Sequence, residues 1–219
     1  MSSFIVHTIP GSPAARAVMA ALIEKGASFR VVGLAPGAHK MEPHLSRHPF
    51  GKMPVLEHDK FSLYETQAIL RYLDRILPMP PLVPEDPGEA ARMDQIMGIS
   101  DWYLFQGVNN VIGFYRVVGP RLLGITPDEA AISQAMPRAE VVFAELSRLL
   151  GQKPYLASQG VTLADLMVAP HMDFLAQTPE WKVLTRGRSN LIEWLARMNE
   201  RKCLRLTTWD AVVQLAKVG

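Results

Sequence analysis

The sequence predicts an α/β domain followed by an all-helical domain, within 219 residues. Three observations support this fold class. Strand-like and helix-like segments alternate from residue 4 to residue 76, the stretch 78–87 holds five prolines, and every longer segment after it has a helical period. We therefore predict an α/β domain at 1–78, a linker at 79–87 and an all-helical bundle domain at 88–219.

The first domain opens with a β-α-β unit. Residues 4–8 are apolar and β-branched, which indicates a buried strand. Ser12 and Pro13 are typical of a helix cap and first helical position, and Gly26 marks where that helix ends. Residues 29–34 then form a second strand, and a helix between two strands indicates a parallel pair.

The rest of the first domain predicts a short helix, a hairpin and a longer helix. Residues 43–47 fit one helical turn. Residues 54–57 and 61–63 fit two short strands, joined by the turn residues at 58–59. Residues 65–76 place apolar side chains on one helical face. The order β-α-β, short helix, β-β-α predicts a mixed sheet of four strands.

The second domain is predicted to be helical throughout. One signal is local: Thr162 and Asp165 form a capping box before an apolar helix, which is a folding feature and not a catalytic one. The helices are predicted at 88–118, 127–150, 163–177 and 190–199, with a last one between 204 and 213.

Composition narrows the class of function. With 23 basic and 21 acidic residues the net charge is +2, and no basic run offers a surface for nucleic acid. Cys203 is the single cysteine, so no internal disulfide is possible. The six histidines lack zinc-site spacing. Without a signal-like or membrane-spanning segment, we expect a cytoplasmic, metal-free protein that does not enter membranes.

Three segments together carry a family resemblance: Gly-Ala-His-Lys at 37–40, His-Pro-Phe-Gly-Lys-Met-Pro-Val-Leu at 48–56 and Tyr-Glu-Thr-Gln-Ala-Ile at 64–69. In this order the chain resembles the glutathione S-transferase superfamily, most closely its phi-type and bacterial serine-type members. The resemblance is weaker in the helical domain, where it depends on 161–165. It implies a thioredoxin-like first domain, glutathione as co-substrate, a hydrophobic electrophile, a homodimer and a role in detoxification.

Ser12 is the candidate catalytic residue. A thiol with a pKa of about 8.5 is mostly protonated at neutral pH, whereas the thiolate is the nucleophile. A serine hydroxyl at a helix N-terminus would favour the thiolate, and the resemblance implies this role. The alternative is a plain helix cap. The first tyrosine is Tyr64 and the only cysteine is Cys203, which argues against tyrosine and cysteine versions of this site.

The resemblance also implies the contacts to the glutathione backbone. Met53, before a cis Pro54, would bind the cysteinyl amide through its main chain, although Pro54 could instead be an ordinary trans proline at a strand edge. Glu65 would bind the γ-glutamyl ammonium. Thr66, with the helix N–H groups, would bind the γ-glutamyl carboxylate. The alternative for Glu65 and Thr66 is a solvated carboxylate beside a helix cap.

A basic group is implied for the glycyl carboxylate. His39 and Lys40 match family contact positions, although both could be exposed loop residues. Lys52 stands where glutamine is usual, so it would bind as a point charge and not as a two-sided amide. Arg16, one turn into the first long helix, is interpreted as a structural residue that is exposed or ion-paired.

The electrophile pocket is expected between the domains, along the first long helix of the second domain. Aromatic side chains suit a hydrophobic substrate, although helix-spaced aromatics are often core or dimer contacts. Phe50 is either an aromatic that inserts into the partner subunit or a buried core residue. The pocket candidates are Trp102, Tyr103, Phe105, Phe114 and Tyr115.

Two alternatives to conjugation remain at this stage. A transferase-like fold also serves non-catalytic binding or regulatory proteins, because fold does not determine function. The same thiolate also serves a glutathione-dependent peroxidase, isomerase or lyase. Only the second pocket would separate these activities.

Overall fold

The computed structural model describes residues 3–218, in two compact units. One unit combines Met1–Pro81 with Asn199–Gly219, and the other spans Leu82–Met198. The sequence analysis had placed the whole of 88–219 in the helical domain. The C-terminal segment joins the first unit because its apolar side chains, such as Leu204 and Val212, are buried there at 1% and 3% exposure.

The first unit contains the expected mixed sheet. Its strands are β1 (Phe4–Thr8), β2 (Phe29–Gly33), β3 (Val55–His58) and β4 (Phe61–Tyr64), in the spatial order β2-β1-β3-β4. The β1–β2 pair is parallel, and the β1–β3 and β3–β4 pairs are antiparallel. The prediction of a four-stranded mixed sheet is confirmed.

The first unit also contains two longer helices. They are α1 (Pro13–Glu24) and α3 (Thr66–Ile76), with the short α2 (His44–Arg47) between them. A single 3-10 turn, Ala38–Lys40, precedes α2. Because α1 is apolar on all sides, it is buried along nearly its whole length, in contact with β1 and α3. Four residues separate the end of β1 from the start of α1, and one residue separates the end of β4 from the start of α3.

The second unit is helical. Its regular helices are α4 (Pro87–Ile99), α5 (Gly119–Leu123), α6 (Glu129–Leu150), α7 (Leu163–Leu175), α8 (Trp181–Leu184) and α9 (Ser189–Asn199). Between α4 and α5, Ser100–Val118 has π-type helical hydrogen bonding; we call it the kinked segment.

The predicted continuous helix at 88–118 is wrong at one point. Gln106 and Gly107 have non-helical backbone angles, and Gly107 has φ 85°. The Gly107 N–H donates to Asn110 Oδ1 at 2.6 Å, the pattern of a helix that begins anew. The kinked segment therefore contains two helical pieces, one on either side of Gly107.

The capping box before α7 is present, as predicted. The Thr162 N–H and hydroxyl donate to Asp165 Oδ2 at 2.9 and 2.8 Å. The Leu156 N–H and Trp194 Nε1 donate to Asp165 Oδ1, both at 2.8 Å. Burial raises the pKa of Asp165, and the four donated hydrogen bonds oppose that rise. The carboxyl group thus joins the start of α7 to the loop before it and to α9.

The chain ends in two helices where one was predicted. They are α10 (Lys202–Arg205), which contacts α1, and α11 (Trp209–Val218), which contacts β2. The predicted helix at 204–213 is interrupted near Thr207 and Thr208, whose side chains bond to the main chain. The Thr207 hydroxyl donates to the Cys203 carbonyl at 2.6 Å, and Thr208 Oγ1 accepts from the Ala211 N–H at 3.4 Å. Such side-chain bonds compete with a continuous helix.

Candidate active site

Ser12 lies at the N-terminus of α1, after the glycine turn that leaves β1. Its Oγ accepts a hydrogen bond from the Ala15 N–H at 3.2 Å, and its carbonyl accepts one from the Arg16 N–H at 3.0 Å. A hydroxyl that accepts through a lone pair still has its own hydrogen to donate. Capping the helix and donating to an anion are therefore compatible in this one side chain.

The turn before α3 is the second feature of the site. Glu65 has φ 70° and ψ 116°, angles that a residue with a side chain adopts only at a cost of about 1–3 kcal/mol. Its carbonyl accepts from the Ile69 N–H at 3.0 Å, and its side chain is exposed. Thr66 follows as a buried residue at 8% exposure. Such a strained residue at a helix N-terminus is typical of a functional site.

Met53 and Pro54 enter β3 through a cis peptide bond, as expected. The paired residues of the sheet begin one position later, with Val55 opposite Tyr64. The main chain of Met53 therefore lies before the β3–β4 ladder. Next to it, the Lys52 carbonyl is held at 2.7 Å by Nε2 of the buried His44 on α2.

The three basic residues predicted for a carboxylate lie close together. A Cβ atom at Gly51 would lie 3.0 Å from the His39 carbonyl oxygen and 3.7 Å from Lys40 Cα, so the loop before Lys52 rests against the 3-10 turn. The pKa of His39 is lowered by burial and by the charges of Lys40, His44 and Lys52. This concentration of positive charge suits an anionic group.

His48 is a residue that the sequence reasoning did not single out. It is buried at 2% exposure and stacks on Tyr64 at 4.5 Å between ring centroids. Burial lowers its pKa, and the nearby charge of Glu65 opposes that shift. His48 therefore lies between the loop before β3 and the turn before α3. His48 opens the segment 48–56 that carries the family resemblance, but the sequence assigned no role to it or to His44.

Phe50 is 70% exposed, so its interpretation as a buried core residue is wrong. The exposure follows from its position in a loop, with only edge contacts to His48 at 6.2 Å and Tyr64 at 6.3 Å. Its contact with a partner subunit stays a prediction.

The aromatic candidates of the second unit do not lie on one uninterrupted helix. The break at Gly107 separates Trp102, Tyr103 and Phe105 from the pair that follows. Trp102 and Tyr103 are 65% and 54% exposed, and the Arg138 guanidinium lies 5.6 Å from the Tyr103 ring centre.

The other three aromatics have ring neighbours within their own unit. Phe105 faces the buried His171 at 5.8 Å, and Phe114 meets Tyr115 edge-on at 5.4 Å. Burial lowers the pKa of His171 to about 3, so this imidazole is neutral at physiological pH. The ring that Phe105 contacts is therefore uncharged.

Residues 3–218 offer little support for metal, membrane or cysteine chemistry. In this range no group of three or more His, Cys, Asp or Glu residues is placed to hold a metal ion. No helix of the described chain is long and apolar enough to cross a membrane. Cys203 is buried beside Glu24, and burial raises the pKa of its thiol to about 12, so it is a poor nucleophile.

Comparison with known proteins identifies the family of this fold. The glutathione S-transferase N-terminal domain matches residues 2–75, and the C-terminal domain matches 101–202. The chain is 32% identical to glutathione S-transferase F7 of Arabidopsis thaliana over 92% of this chain and 97% of that protein. A glutathione S-transferase of Hyoscyamus muticus is 32% identical over 87% and 91%.

Solved structures give the same result. Glutathione transferase F7 from Populus trichocarpa superposes with a TM-score of 0.83 at 25% identity, covering 97% of this chain and 99% of the other. Sequence and fold thus agree over almost the full length. The chain belongs to the glutathione S-transferase family and is a phi-like member of it.

Proposed function

We propose that this enzyme conjugates glutathione to a hydrophobic electrophile and that Ser12 stabilises the glutathione thiolate. One observation carries the proposal: the Ser12 hydroxyl lies at the N-terminus of α1 and already accepts the Ala15 N–H at 3.2 Å. Accepting a hydrogen bond polarises a hydroxyl and strengthens the bond that it donates. The helix N-terminus adds a partial positive charge that favours an anion.

The chemistry follows from the thiolate. The glutathione thiol releases its proton to solvent, and each unit by which its pKa falls corresponds to about 1.4 kcal/mol of preference for the anion. The sulfur then forms a bond to an electrophilic carbon. In a displacement the leaving group departs with its electron pair; in an addition the electrons move onto the electrophile, which takes a proton from water.

The glutathione backbone would be held by three groups of contacts. The exposed Glu65 carboxylate binds the γ-glutamyl ammonium, and Thr66 with the N–H groups of α3 binds the γ-glutamyl carboxylate. The Met53 main chain binds the cysteinyl amide. The last group is the basic cluster that takes the glycyl carboxylate: His39, Lys40 and Lys52.

The electrophile would contact aromatic residues of the second unit. Trp102 and Tyr103 are the exposed candidates and Phe105, Phe114 and Tyr115 the partly buried ones. Aromatic surface of this kind suits a hydrophobic substrate. We also propose a homodimer in which Phe50 contacts the partner subunit, as the family resemblance implies; its side chain is 70% exposed and so accessible to a partner.

The test is an ultraviolet titration of the thiolate of bound glutathione. Wild type, Ser12→Ala and the hydroxyl-retaining control Ser12→Thr are compared at saturating glutathione. We expect a thiolate well below pH 8 in wild type and Ser12→Thr, and a pKa near the free value of about 8.5 in Ser12→Ala. Glutathione affinity should change little.

Two results would contradict the proposal in different ways. Absence of glutathione binding by wild type would refute the transferase function. Binding with no thiolate in any variant would reduce Ser12 to a helix cap, whose loss costs about 1 kcal/mol of stability and nothing in chemistry.

A further inference from the structure

The C-terminal helix α11 contacts the turn that carries Ser12. Gly11 has φ 85°, and a Cβ atom there would lie within 2.7 Å of both Cε3 and Cη2 of Trp209. The indole ring therefore lies directly against the main chain of the residue before Ser12. Gly11 is required twice, because its backbone is left-handed and because the ring leaves no room for a side chain.

The position of Trp209 is fixed by the rest of α11. This helix lies along β2, where a Cβ atom at Gly33 would be 3.0 Å from Ala216 Cβ. Val212 is buried at 3% exposure on the same helix. The packing of Val212 and Ala216 thus fixes α11, and with it the indole that lies against the turn.

Arg16 makes a second, independent connection. It is buried at 5% exposure, so of the two expectations, exposed or ion-paired, the exposed one is wrong, and Nη2 donates to the Leu204 carbonyl at 3.0 Å. Its Nε donates to Thr207 Oγ1 at 3.4 Å. Its own main-chain N–H donates to the Ser12 carbonyl. The first turn of α1 is therefore bonded to the chain that leads into Trp209.

We propose that Trp209 is a positioning residue for Ser12, so that α11 is part of the site that activates glutathione. The hydrogen bond from Ser12 to sulfur depends on the placement of Oγ to within about 0.5 Å, and the β1–α1 turn sets that placement. The inference rests on the proposed function. It concerns a helix that lies beyond residue 202, where the match to the family's C-terminal domain ends.

The contribution of Trp209 is steric. Without the indole, the turn at Gly11 is free on one face, and glycine has more accessible backbone conformations than any other residue. Ser12 Oγ would then sample positions in which it no longer points at the sulfur. Glutathione itself would still be bound through the turn before α3 and the basic cluster, so activation should be lost before affinity.

The experiment uses the full-length protein with two readouts. Trp209→Ala and Trp209→Phe are compared with wild type and with Leu215→Ala, a control on α11 whose side chain is 36% exposed. Hydrogen exchange of the ligand-free protein reports on the β1–α1 turn. The ultraviolet titration reports on the thiolate of bound glutathione.

We expect Trp209→Ala to speed exchange in the turn about tenfold or more, while β3 and β4 exchange as in wild type. Its bound glutathione should titrate at least about half a pKa unit closer to the free thiol, with less than threefold loss of affinity. Trp209→Phe should retain most of both properties, and Leu215→Ala all of them. If Trp209→Ala does not fold, Trp209→Leu, which keeps apolar bulk, takes its place.

The two proposals fail differently. A wild-type thiolate that Trp209→Ala leaves unchanged overturns this inference alone. The same holds if exchange rises equally in all strands, because Trp209 then only stabilises the fold. A wild type that forms no thiolate overturns the proposed function, and this inference with it.

Discussion

A buried ion pair joins the far ends of α1 and α3, the two helices whose N-termini belong to the proposed glutathione site. Lys25 follows α1, and its side chain is fully buried. Its Nζ lies 2.5 Å from Asp74 Oδ1 on α3 and 2.6 Å from the Pro80 carbonyl. We predict that Asp74→Ala destabilises the first unit strongly, whereas Asp74→Ala in a Lys25→Met background does so only slightly.

The expected magnitude follows from what each substitution leaves behind. Asp74→Ala leaves the ammonium of Lys25 buried without its carboxylate, and breaking a buried pair in this way costs about 3–5 kcal/mol. Lys25→Met removes the buried charge, so Asp74→Ala in that background no longer leaves a buried ammonium without its carboxylate. We expect that second step to cost about 1 kcal/mol or less, giving a coupling energy of about 2–4 kcal/mol.

Native-state hydrogen exchange measures these differences in one unit at a time. The amides of β1, the strand between β2 and β3, should exchange only when the first unit unfolds. A loss of 3 kcal/mol then speeds their exchange about 150-fold, because 1.36 kcal/mol is a factor of ten. Amides of α7 in the second unit serve as the internal control.

Equal effects of Asp74→Ala in the two backgrounds would refute the reasoning, since the ion pair would then contribute no coupling. If Asp74→Ala lowered the free energy of unfolding by less than about 1 kcal/mol in the wild-type background, the reasoning would also be refuted. Either result would mean that solvent reaches Lys25 Nζ readily. A cost of the expected size should also weaken glutathione binding, because the pair fixes how α1 and α3 lie together.

Three further predictions concern charge, folding and assembly. Binding of a carboxylate should raise the lowered pKa of His39, so affinity for S-methylglutathione should increase as pH falls below the ordinary histidine value; calorimetry on His39→Asn should show a flatter profile. Asp165→Ala should lower the free energy of unfolding by about 3 kcal/mol or more, since four donors lose their acceptor, and Asp165→Asn by less in urea denaturation. Phe50→Arg should shift sedimentation from dimer to monomer, whereas Val183→Arg, also at an exposed apolar side chain, should not; an unchanged dimer would exclude Phe50 from the interface.

Local signals in the sequence were sufficient to predict the strands and helices of the first unit from β1 to α3. Alternation, caps and turn residues act over a few positions, and the predicted strands and helices there match the structure to within one or two residues. The break at Gly107 was missed because apolar residues continue at helical spacing on both sides of it. The signal was nevertheless present: Asn110, three residues after Gly107, is suited to cap a new helix.

The C-terminal segment was misassigned for a different reason. Its helices follow the second unit in the chain, so sequence order alone groups them with it. The contact that places them, Arg16 Nη2 to the Leu204 carbonyl, joins residues 188 positions apart. No periodic pattern encodes such a contact. Arginine side chains are seldom fully buried, so a buried position among apolar helices was not expected for Arg16.

The residues of the candidate site could be selected from sequence, but their arrangement could not. Resemblance identified His39, Lys40 and Lys52 one by one, whereas their proximity depends on the turn at Gly51. Glu65 shows the limit most clearly. A positive φ is expected at glycine, and nothing in the sequence marks a glutamate as the residue that adopts it.

Ser12 shows why a folding role and the chemical role proposed for the same residue need not compete. Its oxygen accepts the Ala15 N–H as any helix cap does, and the hydrogen of the same hydroxyl is directed elsewhere. Gly11 also has two roles, because its left-handed backbone forms the turn and its lack of a side chain leaves room for the indole of Trp209. Because one atom group serves both purposes, a loss of activity alone cannot separate them. Only a variant that preserves stability while it moves the thiolate pKa assigns the chemistry to Ser12 and the positioning to Trp209.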